Sequence, residues 1–462
     1  MTSSPVAPPA QMGRPGGTEG AAMSGRVLRA IIISYVGFVA SFLSSIVLAR
    51  ALGAEGKGAF SLFQASIATV TVFAGFGIGH GQMYHAAKEP GRLPNFMPNG
   101  LIVSLVLGGG SAALYFLAGW VFNIQVVATL GWRAVIAGVL CVPVLALLNF
   151  QRQYLLVTHE YPLAKVSTAL NLASPLFAFA LVYLLGRVTV GDLVIAFVAT
   201  QFACAIVFQI LLARRTRIIG PFSPEFARKS ARFGMLQYLS DLALALTSRL
   251  DFFLVAYLLG KSALGIYSVA VGLAEVVSRL PSELGTMLFP AFASGKVPEG
   301  HAAAIVRRVF LMGVVISVLL VLISEPLVLL LYGNRFSEAV VAFRWLLLAT
   351  VAWSTIFVTW NHASAGGRPG AGIPIFGAAA ALDAVLCFVL IPRLGVLGAS
   401  LAAAASYWLA ALLFMRLFCR RERCTMRDTL IPKLVDVQWL IRQVQVLANG
   451  MKRGLVGSRT TI

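Results

Sequence analysis

Charged side chains are scarce in this sequence of 462 residues. Asp, Glu, Lys and Arg make up 12% of it, whereas hydrophobic residues make up 59% and the mean hydropathy is +0.86. Soluble globular proteins have about 25% charged and about 45–50% apolar residues. The shortage of charge therefore excludes a water-soluble enzyme and a disordered chain, and it leaves an all-α protein that crosses the membrane many times.

Acidic residues are fewest of all: 17 Asp and Glu stand against 37 Lys and Arg, which gives a formal net charge of +20. In a soluble protein this balance would point to nucleic acid. In a protein of many spans, Lys and Arg remain on the cytoplasmic side of the membrane instead. We therefore expect no nucleic-acid partner and use the basic residues to orient the chain.

The sequence also lacks any arrangement of residues typical of a catalytic or metal centre. Cys141, Cys204 and Cys387 lie within apolar runs and the other two cysteines lie in a basic tail, so no metal-ligand spacing is present. No nucleophile elbow, Walker motif or cluster of His, Cys and Asp occurs. We predict that the protein is not an enzyme and binds neither a metal nor a cofactor, apart from a coupling ion.

Long apolar runs are what the sequence has in abundance. About twelve of them are long enough to cross a bilayer as helices. We divide the chain into a disordered N-terminal tail, an N-lobe of six spans, a basic linker, a C-lobe of six spans and a basic C-terminal tail. These segments are residues 1–26, 27–213, 214–233, 234–418 and 419–462.

The basic residues orient these spans. With the N-terminus in the cytoplasm and the loops alternating, most of the Lys and Arg residues fall inside, including the cluster at 214–232. Both termini are therefore predicted to be cytoplasmic. All loops are short, whereas membrane glycosyltransferases and polymerases usually carry a folded domain outside the bilayer. The short loops favour a transporter over such an enzyme.

An internal repeat divides the spans into two halves. Residues Leu52–Ser61 and Leu259–Ser268 share the pattern L-G-x-x-x-x-G-apolar-aromatic-S at an offset of 207 residues. The first glycine predicts a helix end in the left-handed conformation, and the second lets the next helix start close by. Six spans separate the copies, so both halves have the same orientation. This parallel repeat is typical of two transporter lobes around a central cleft.

Four segments of the chain resemble a known family. They are Ala49–Ser61, Arg249–Ser268, Leu331–Phe336 and Ile391–Ala399. Together they resemble the polysaccharide-export flippases, the Wzx-like branch of the superfamily that also holds the MATE multidrug exporters and the lipid II flippase. The resemblance covers about residues 26–418, and it implies the fold of that superfamily.

The resemblance also implies a function. The expected cargo is an oligosaccharide linked to polyprenyl diphosphate, carried from the cytoplasmic to the periplasmic leaflet of the bacterial inner membrane for surface polysaccharide biosynthesis. Expected partners are membrane lipids and a polysaccharide polymerase or export machinery. An ion-coupled exporter of drugs or small molecules is the alternative within the superfamily, and a membrane glycosyltransferase or polymerase is the alternative outside it.

Ionisable residues inside the predicted spans form the candidate site, because a charge within a bilayer is costly. The candidates on spans seven, eight and eleven are Asp241, Arg249, Asp251, Glu275, Arg279, Glu283 and Asp383. Counting 1.5 Å per residue from the turn at 260–264 places Arg249 and Glu275 both about 16 Å deep. We therefore predict that Arg249 pairs with Glu275, and by the same count Arg279 with Asp241.

Two interpretations of these charges remain open. The pairs either hold helices together, or they line the cleft, bind a diphosphate or a coupling cation, and change partners as the lobes move. Carboxylates outnumber arginines within the spans, which suits a coupling proton or sodium ion better than an anion. Asp383 has no obvious charged partner, so it is either a protonated or cation-binding carboxyl or a packed, hydrogen-bonded one.

The C-terminal tail has a helical pattern of its own. Apolar residues recur at helical spacing, with basic residues between them: Leu430, Leu434, Val437, Ile441, Val444 and Ala448, and Lys433, Arg442, Lys452 and Arg453. This pattern predicts an amphipathic helix that lies on the anionic cytoplasmic leaflet. Docking to a partner in the export machinery is the alternative.

Overall fold

The protein is all-helical throughout the part that the structure describes. The computed structural model describes residues 17–121, 125–186, 188–215, 220–293, 301–366, 368–442 and 445. Within these ranges there is no β-strand, as the composition predicts.

Seven helices come from the first half of the chain. They are α1 (Gly17–Gly75), α2 (Ile78–Lys88), α3 (Leu93–Val103), α4 (Gly109–Val121), α5 (Gln125–Val157), α6 (Tyr161–Leu184) and α7 (Val190–Arg215). A π-helical segment at Ser104–Gly108 joins α3 to α4, so these two helices form a single span.

Six more helices come from the second half. They are α8 (Pro224–Ala293), α9 (His301–Tyr332), α10 (Ala339–Ala365), α11 (Gly372–Leu394), α12 (Val396–Glu422) and the one-turn α13 (Met426–Leu430).

Ten segments of the described chain are long and apolar enough to cross a membrane. Two of them belong to α1 and α8, which have 59 and 70 residues. At 1.5 Å per residue, each of these two helices has the length of two crossings. The structure therefore confirms a multi-pass membrane fold of about twelve spans.

Each of the two longest helices is kinked at the first glycine of the internal repeat. Gly53 has φ 68° and ψ −173°, and Gly260 has φ 84° and ψ −176°. The positive φ was expected, but ψ lies near 180° and not in the left-handed helical region. Only glycine adopts this conformation readily, because a β-carbon would clash with the backbone. The two glycines thus turn one span into the next without a loop.

Helices also extend into segments that the sequence assigns to connections. The helix α1 begins at Gly17, inside the predicted tail 1–26. The helix α8 begins at Pro224, inside the predicted linker 214–233, because Ser223 Oγ accepts a hydrogen bond from the Phe226 amide (3.3 Å) and proline suits the first helical position. The linker between α7 and α8 is therefore shorter than predicted.

The buried core has separate centres in the two halves of the chain. In the first half, Phe60, Phe63 and Phe197 pack edge to face or stacked. In the second half, Phe376 and Phe414 are fully buried between α11 and α12. A third cluster includes residues of both α1 and α8, so the halves also share apolar contacts.

Candidate functional site

The two halves touch at the end of the bundle where α1 and α8 are kinked, here called the kink end. A β-carbon on Gly58 would lie 1.8 Å from the carbonyl oxygen of Lys261, and one on Gly265 would lie 1.9 Å from the carbonyl oxygen of Ala54. These two contacts are equivalent under the 207-residue offset. The second glycine of each repeat therefore packs directly on the backbone of the other repeat.

The halves also touch at the opposite end, near the linker, where α2 packs along the first turns of α8. A β-carbon on Gly234 would lie 1.9 Å from the carbonyl oxygen of Gly77. Tyr84 stacks on Phe233 with ring centroids 3.8 Å apart. The cleft between the halves thus lies between two close contacts, which we call the kink-end and linker-end contacts.

An ion pair at the surface extends the linker-end contact. The Lys229 ammonium lies 2.9 Å from Glu89 Oε1. Its hydrogen bond holds the pKa of Glu89 below the ordinary value. Both side chains are exposed, so the pair adds little to stability. The ion pair therefore forms when the two halves are in contact at this end, but it contributes little to the strength of that contact.

A polar cavity of about 370 Å³ lies between the halves. Both α1 and α8 contribute to its wall, together with α6 and α7. Its hydroxyl and amide side chains come from Ser41, Ser44, Ser45, Ser61, Gln64, Asn171, Gln201 and Ser268, and its charged ones from Lys57, Arg249 and Glu275. We call it the central cavity.

The predicted pair of Arg249 and Glu275 is confirmed. The Nη2 atom of Arg249 donates a hydrogen bond of 3.1 Å to Glu275 Oε1, and the guanidinium also lies 5.2 Å from the centroid of the Phe252 ring. The side chains are 34% and 39% exposed, and both line cavities. A pair that only held two helices together would be expected to be buried between them, out of reach of water or a ligand.

Lys57 is a member of the site that the sequence analysis missed. It lies within the first copy of the repeat and was not among the candidate residues, whereas the structure buries it in the wall of the central cavity, where its charge interacts with that of Glu275. The repeat itself carries the signal, because at the 207-residue offset Lys57 corresponds to Leu264, which is fully buried.

The other charges of the cleft break the repeat in the same way. At this offset Arg249 corresponds to Phe42, and Glu275 to Ala68. Asp251 corresponds to Ser44. The glycines and aromatic residues that build the scaffold recur in both halves, whereas the charged residues do not. The charges are therefore not needed to form the scaffold that the two halves share.

A second cavity, of about 360 Å³, lies within the second half of the chain. Arg249 and Glu275 line it as well, so their ion pair stands between the two cavities. Three aromatic residues form one part of its wall: Trp353 contacts Tyr407, with ring centroids 4.7 Å apart, and Phe357, at 5.5 Å. We call it the aromatic cavity.

Asp251 lies in the wall of the aromatic cavity and is almost fully buried. Its carboxylate accepts hydrogen bonds from the hydroxyl of Tyr267 and from the amide of Phe252, the latter at 2.8 Å. Tyr267 is the aromatic residue of the second repeat. The first repeat has Phe60 at this position, which has no hydroxyl, and so the carboxylate site belongs to the second half alone.

Asp383 is fully buried on α11. Its carboxyl group accepts long hydrogen bonds from two uncharged side chains, Ser406 Oγ at 3.4 Å and Cys387 Sγ at 3.9 Å. Its carboxyl group also lies close enough to that of Asp251 for their charges to interact. The structure therefore brings together two carboxyl groups that the sequence places on separate spans.

The remaining candidates do not join this cluster. Asp241 lies at the linker end, where His80 Nε2 is 3.1 Å from its Oδ2 and Gln237 donates to its Oδ1 at 2.8 Å. The side chains of Arg279 and Glu283 lie outside the described residues. The predicted pair of Arg279 and Asp241 therefore stays a prediction, and a partner that was not predicted, His80, reaches Asp241 from the other half.

Solved structures of membrane transporters have the same arrangement of helices. The lipid II flippase MurJ in an inward-closed conformation matches with a TM-score of 0.70 at 10% identity, covering 92% of this chain and 99% of that one. An inward-facing multidrug-resistance MATE transporter matches at 0.64 and 16% identity, covering 85% and 98%. A MOP superfamily transporter from Pyrococcus furiosus matches at 0.61 and 14% identity, covering 87% and 96%. At such identities the likeness establishes the fold.

The described residues form a multi-pass membrane protein with the fold of these transporters and flippases. Residues 27–296 match the family described as polysaccharide biosynthesis protein, and the chain belongs to this family. An uncharacterized membrane protein of Methanocaldococcus jannaschii is 22% identical over 196 residues, or 41% of this chain. That match spans 38% of the archaeal protein's length.

Proposed function

We propose that the protein is a flippase that moves a polyprenyl-diphosphate-linked oligosaccharide from the cytoplasmic to the periplasmic leaflet of a bacterial inner membrane. The observation that carries the proposal is the central cavity, which combines Lys57 and Arg249 with many hydroxyl and amide groups. Membership of the polysaccharide biosynthesis family supports the class of cargo. A polysaccharide polymerase would receive the cargo on the far side.

The chemistry of the cavity suits a phosphorylated sugar. A diphosphate is bound best by desolvated cations, and an arginine fork contacts phosphate oxygens in two places. Serine, asparagine and glutamine side chains donate to and accept from sugar hydroxyls. The polyprenyl chain has no need of the cavity, because it is soluble in the surrounding lipid.

The Arg249–Glu275 pair supplies a switch in this mechanism. A phosphate group in the central cavity competes with Glu275 for the guanidinium of Arg249 and is repelled by the carboxylate. Binding therefore requires Glu275 to turn away or take up a proton. We propose that the pair breaks when the cargo enters and re-forms when it leaves, so that the charge of Arg249 is neutralised by the phosphate in the loaded cleft and by Glu275 in the empty one.

Movement of the lobes has to accompany this exchange. The central cavity is smaller than an oligosaccharide, so the cargo enters only when one end of the cleft opens. The kink-end and linker-end contacts rest on glycine backbones and stacked rings, and the linker end adds the Lys229–Glu89 pair and the His80–Asp241 contact, whose side chains all reach solvent. Such contacts separate without exposing a buried charge, which favours alternating access.

A coupling proton or sodium ion is the proposed source of energy, with Asp251 and Asp383 as its site. Two buried carboxyl groups close to each other do not both remain ionised without a cation. Transport should then depend on an imposed proton or sodium gradient in vesicles, and Asp383→Asn should remove that dependence while leaving the protein in the membrane. Transport by Asp383→Asn that still rises and falls with the imposed gradient, as in the unaltered protein, would exclude this site.

The aromatic cavity favours a second candidate, an ion-coupled exporter of organic cations. Its aromatic rings together with Asp251 and Glu275 offer both cation–π and carboxylate contacts. This function and the flippase make opposite use of Glu275, because an organic cation is attracted by the carboxylate that repels a phosphate.

Deletion of the gene distinguishes the two functions. Loss of a flippase should reduce one surface polysaccharide and leave its lipid-linked repeat units on the cytoplasmic leaflet, where they can be counted by mass spectrometry and by protection from an external enzyme. Normal surface polysaccharide together with new sensitivity to cationic drugs would establish the exporter instead.

A further inference from the structure

The C-terminal tail folds back on the bundle after α12 ends at Glu422. Thr425 and Asp428 form a capping box that starts α13. Pro432 then prevents the helix from continuing and holds Ile431 in an extended conformation (φ −87°, ψ 111°). A new helix covers residues 434–442, which we call the tail helix. The amphipathic segment therefore begins after Pro432, and Leu430, predicted to belong to it, lies in α13.

A buried carboxylate fixes the tail helix to α9. Asp436 is fully buried and accepts hydrogen bonds from Nε and Nη2 of Arg307, the latter at 3.2 Å, and from Nε of Arg308 at 3.1 Å. Burial alone would raise the pKa of Asp436, but the bonds from Arg307 and the Lys433 amide outweigh it and hold this pKa below the ordinary value. The contact therefore stays charged and closed at neutral pH.

The contact lies at the level of the lipid head groups. The helix α9 has 32 residues and is therefore about 48 Å long, longer than the hydrocarbon core of about 30 Å. Arg307 and Arg308 lie within its first two turns after His301. The tail helix itself is outside the segments that can span a membrane, and the excess length of α9 therefore places it near the bilayer surface.

One face of the tail helix contacts the protein, and the opposite face is exposed. Asp436 and Trp439 lie on the side of the protein, where the Arg308 guanidinium is 5.2 Å from the Trp439 ring centroid. At 100° per residue, Leu434, Val437 and Ile441 share the opposite face, and their exposed fractions are 81%, 40% and 52%. Three large apolar side chains thus point away from the bundle.

We propose that the tail helix is a membrane-surface anchor whose outward face enters the boundary between head groups and acyl chains of an anionic leaflet. Exposed basic residues accompany it along the tail: Arg420, Arg421, Arg423, Arg427, Lys433 and Arg442. Apolar side chains flanked by cations, at head-group depth, match the two parts of an anionic phospholipid. The Asp436 contact orients this face outwards.

The test is hydrogen exchange of the full-length protein in lipid nanodiscs, measured by mass spectrometry for peptides that cover residues 431–442. In nanodiscs of phosphatidylcholine with phosphatidylglycerol, these amides should exchange about tenfold more slowly than in detergent. Protection should be smaller in phosphatidylcholine alone, and 1 M salt should reduce the difference between the two lipids.

Variants separate the outward face from the rest of the tail. Leu434→Ser with Val437→Ser and Ile441→Ser should lose the protection by lipid, while Val435→Ser, on the flank of the same helix, should keep it. Peptides of α9 and α12 report whether the bundle of each variant is intact. Equal exchange in detergent and in both lipids would overturn the proposal. So would protection that appears only with a co-purified protein, which would make the face a protein-docking site.

Discussion

Lys57 and Leu264 hold equivalent positions in the two halves of the chain, yet Lys57 is a cation in the wall of the central cavity and Leu264 is fully buried. Leu264 shows that the scaffold accepts a leucine at this position of the repeat. The lysine therefore has a role that the packing of the kink does not require. The same contrast separates Arg249 from its counterpart Phe42.

Replacing Lys57 by its own counterpart tests this role. Lys57→Leu removes a buried charge and fills the space with a side chain that the other half already uses. We expect unchanged abundance in the membrane and at least about a tenfold loss of transport, since a charge-assisted contact to phosphate contributes about 1.5–3 kcal/mol. Surface polysaccharide measured beside immunoblot abundance checks both quantities. Lys57→Arg should retain most of the activity, and full export by Lys57→Leu would remove this residue from the site.

The Arg249–Glu275 pair allows a charge swap. If the pair only holds helices together, Arg249→Ala and Glu275→Ala should each lower the abundance, and Arg249→Glu with Glu275→Arg should restore it. We expect instead that the single variants reach the membrane and fail in transport, and that the swap does not rescue them, because cargo or ion contacts each charge at its own position. Full polysaccharide export by the swapped protein would contradict the switch mechanism.

The kink-end contact predicts a conformational effect of one methyl group. In Gly58→Ala the new β-carbon would meet the Lys261 carbonyl, so the two halves have to separate at this end, at a cost of about 1–3 kcal/mol. We expect a shift towards the state open at the kink end, visible as increased cysteine labelling at Ser61→Cys. Gly377→Ala is the matched control, because a β-carbon at Gly377 meets nothing within 4 Å. Equal labelling in both variants would show that the contact does not control opening.

Reporter fusions test the orientation in the membrane. A fusion within residues 214–220 and one at the C-terminal tail should both report cytoplasm, and a fusion at Lys261 should report periplasm. The excess of Lys and Arg near the linker is the physical reason. A periplasmic signal from the linker would reverse the predicted topology and the direction of transport proposed with it.

The fold was accessible from the sequence because a bilayer requires long apolar helices, whose number and spacing are visible in hydropathy. Depth counting also found the Arg249–Glu275 pair, since two antiparallel spans joined by a tight turn fix the level of each residue. It did not predict the contact between His80 and Asp241, which depends on how α2 leaves the end of α1. The positive φ of Phe76 and Gly77 ends α1 and turns the chain towards α8, and His80 then faces Asp241.

Connections were harder to predict than spans. The start of α8 depends on one hydrogen bond to Ser223, and the start of the tail helix depends on Pro432, and both effects are weaker than the hydropathy of a span. Asp383 was identified as an unusual charge, but its proximity to Asp251 depends on how α11 packs against α8, which a single sequence does not encode.

The reciprocal contact at the kink end also has a consequence for evolution. Gly58 meets the backbone of one repeat and Gly265 meets the backbone of the other, so each half of the chain supplies both a glycine and the surface on which the partner's glycine rests. Because each glycine packs against backbone, a larger side chain at one of these positions cannot be compensated by a substitution at the other. After the duplication that would produce such a repeat, both positions have to remain glycine. The residues directly before them can diverge, and they are a lysine, Lys57, in one half and a leucine, Leu264, in the other.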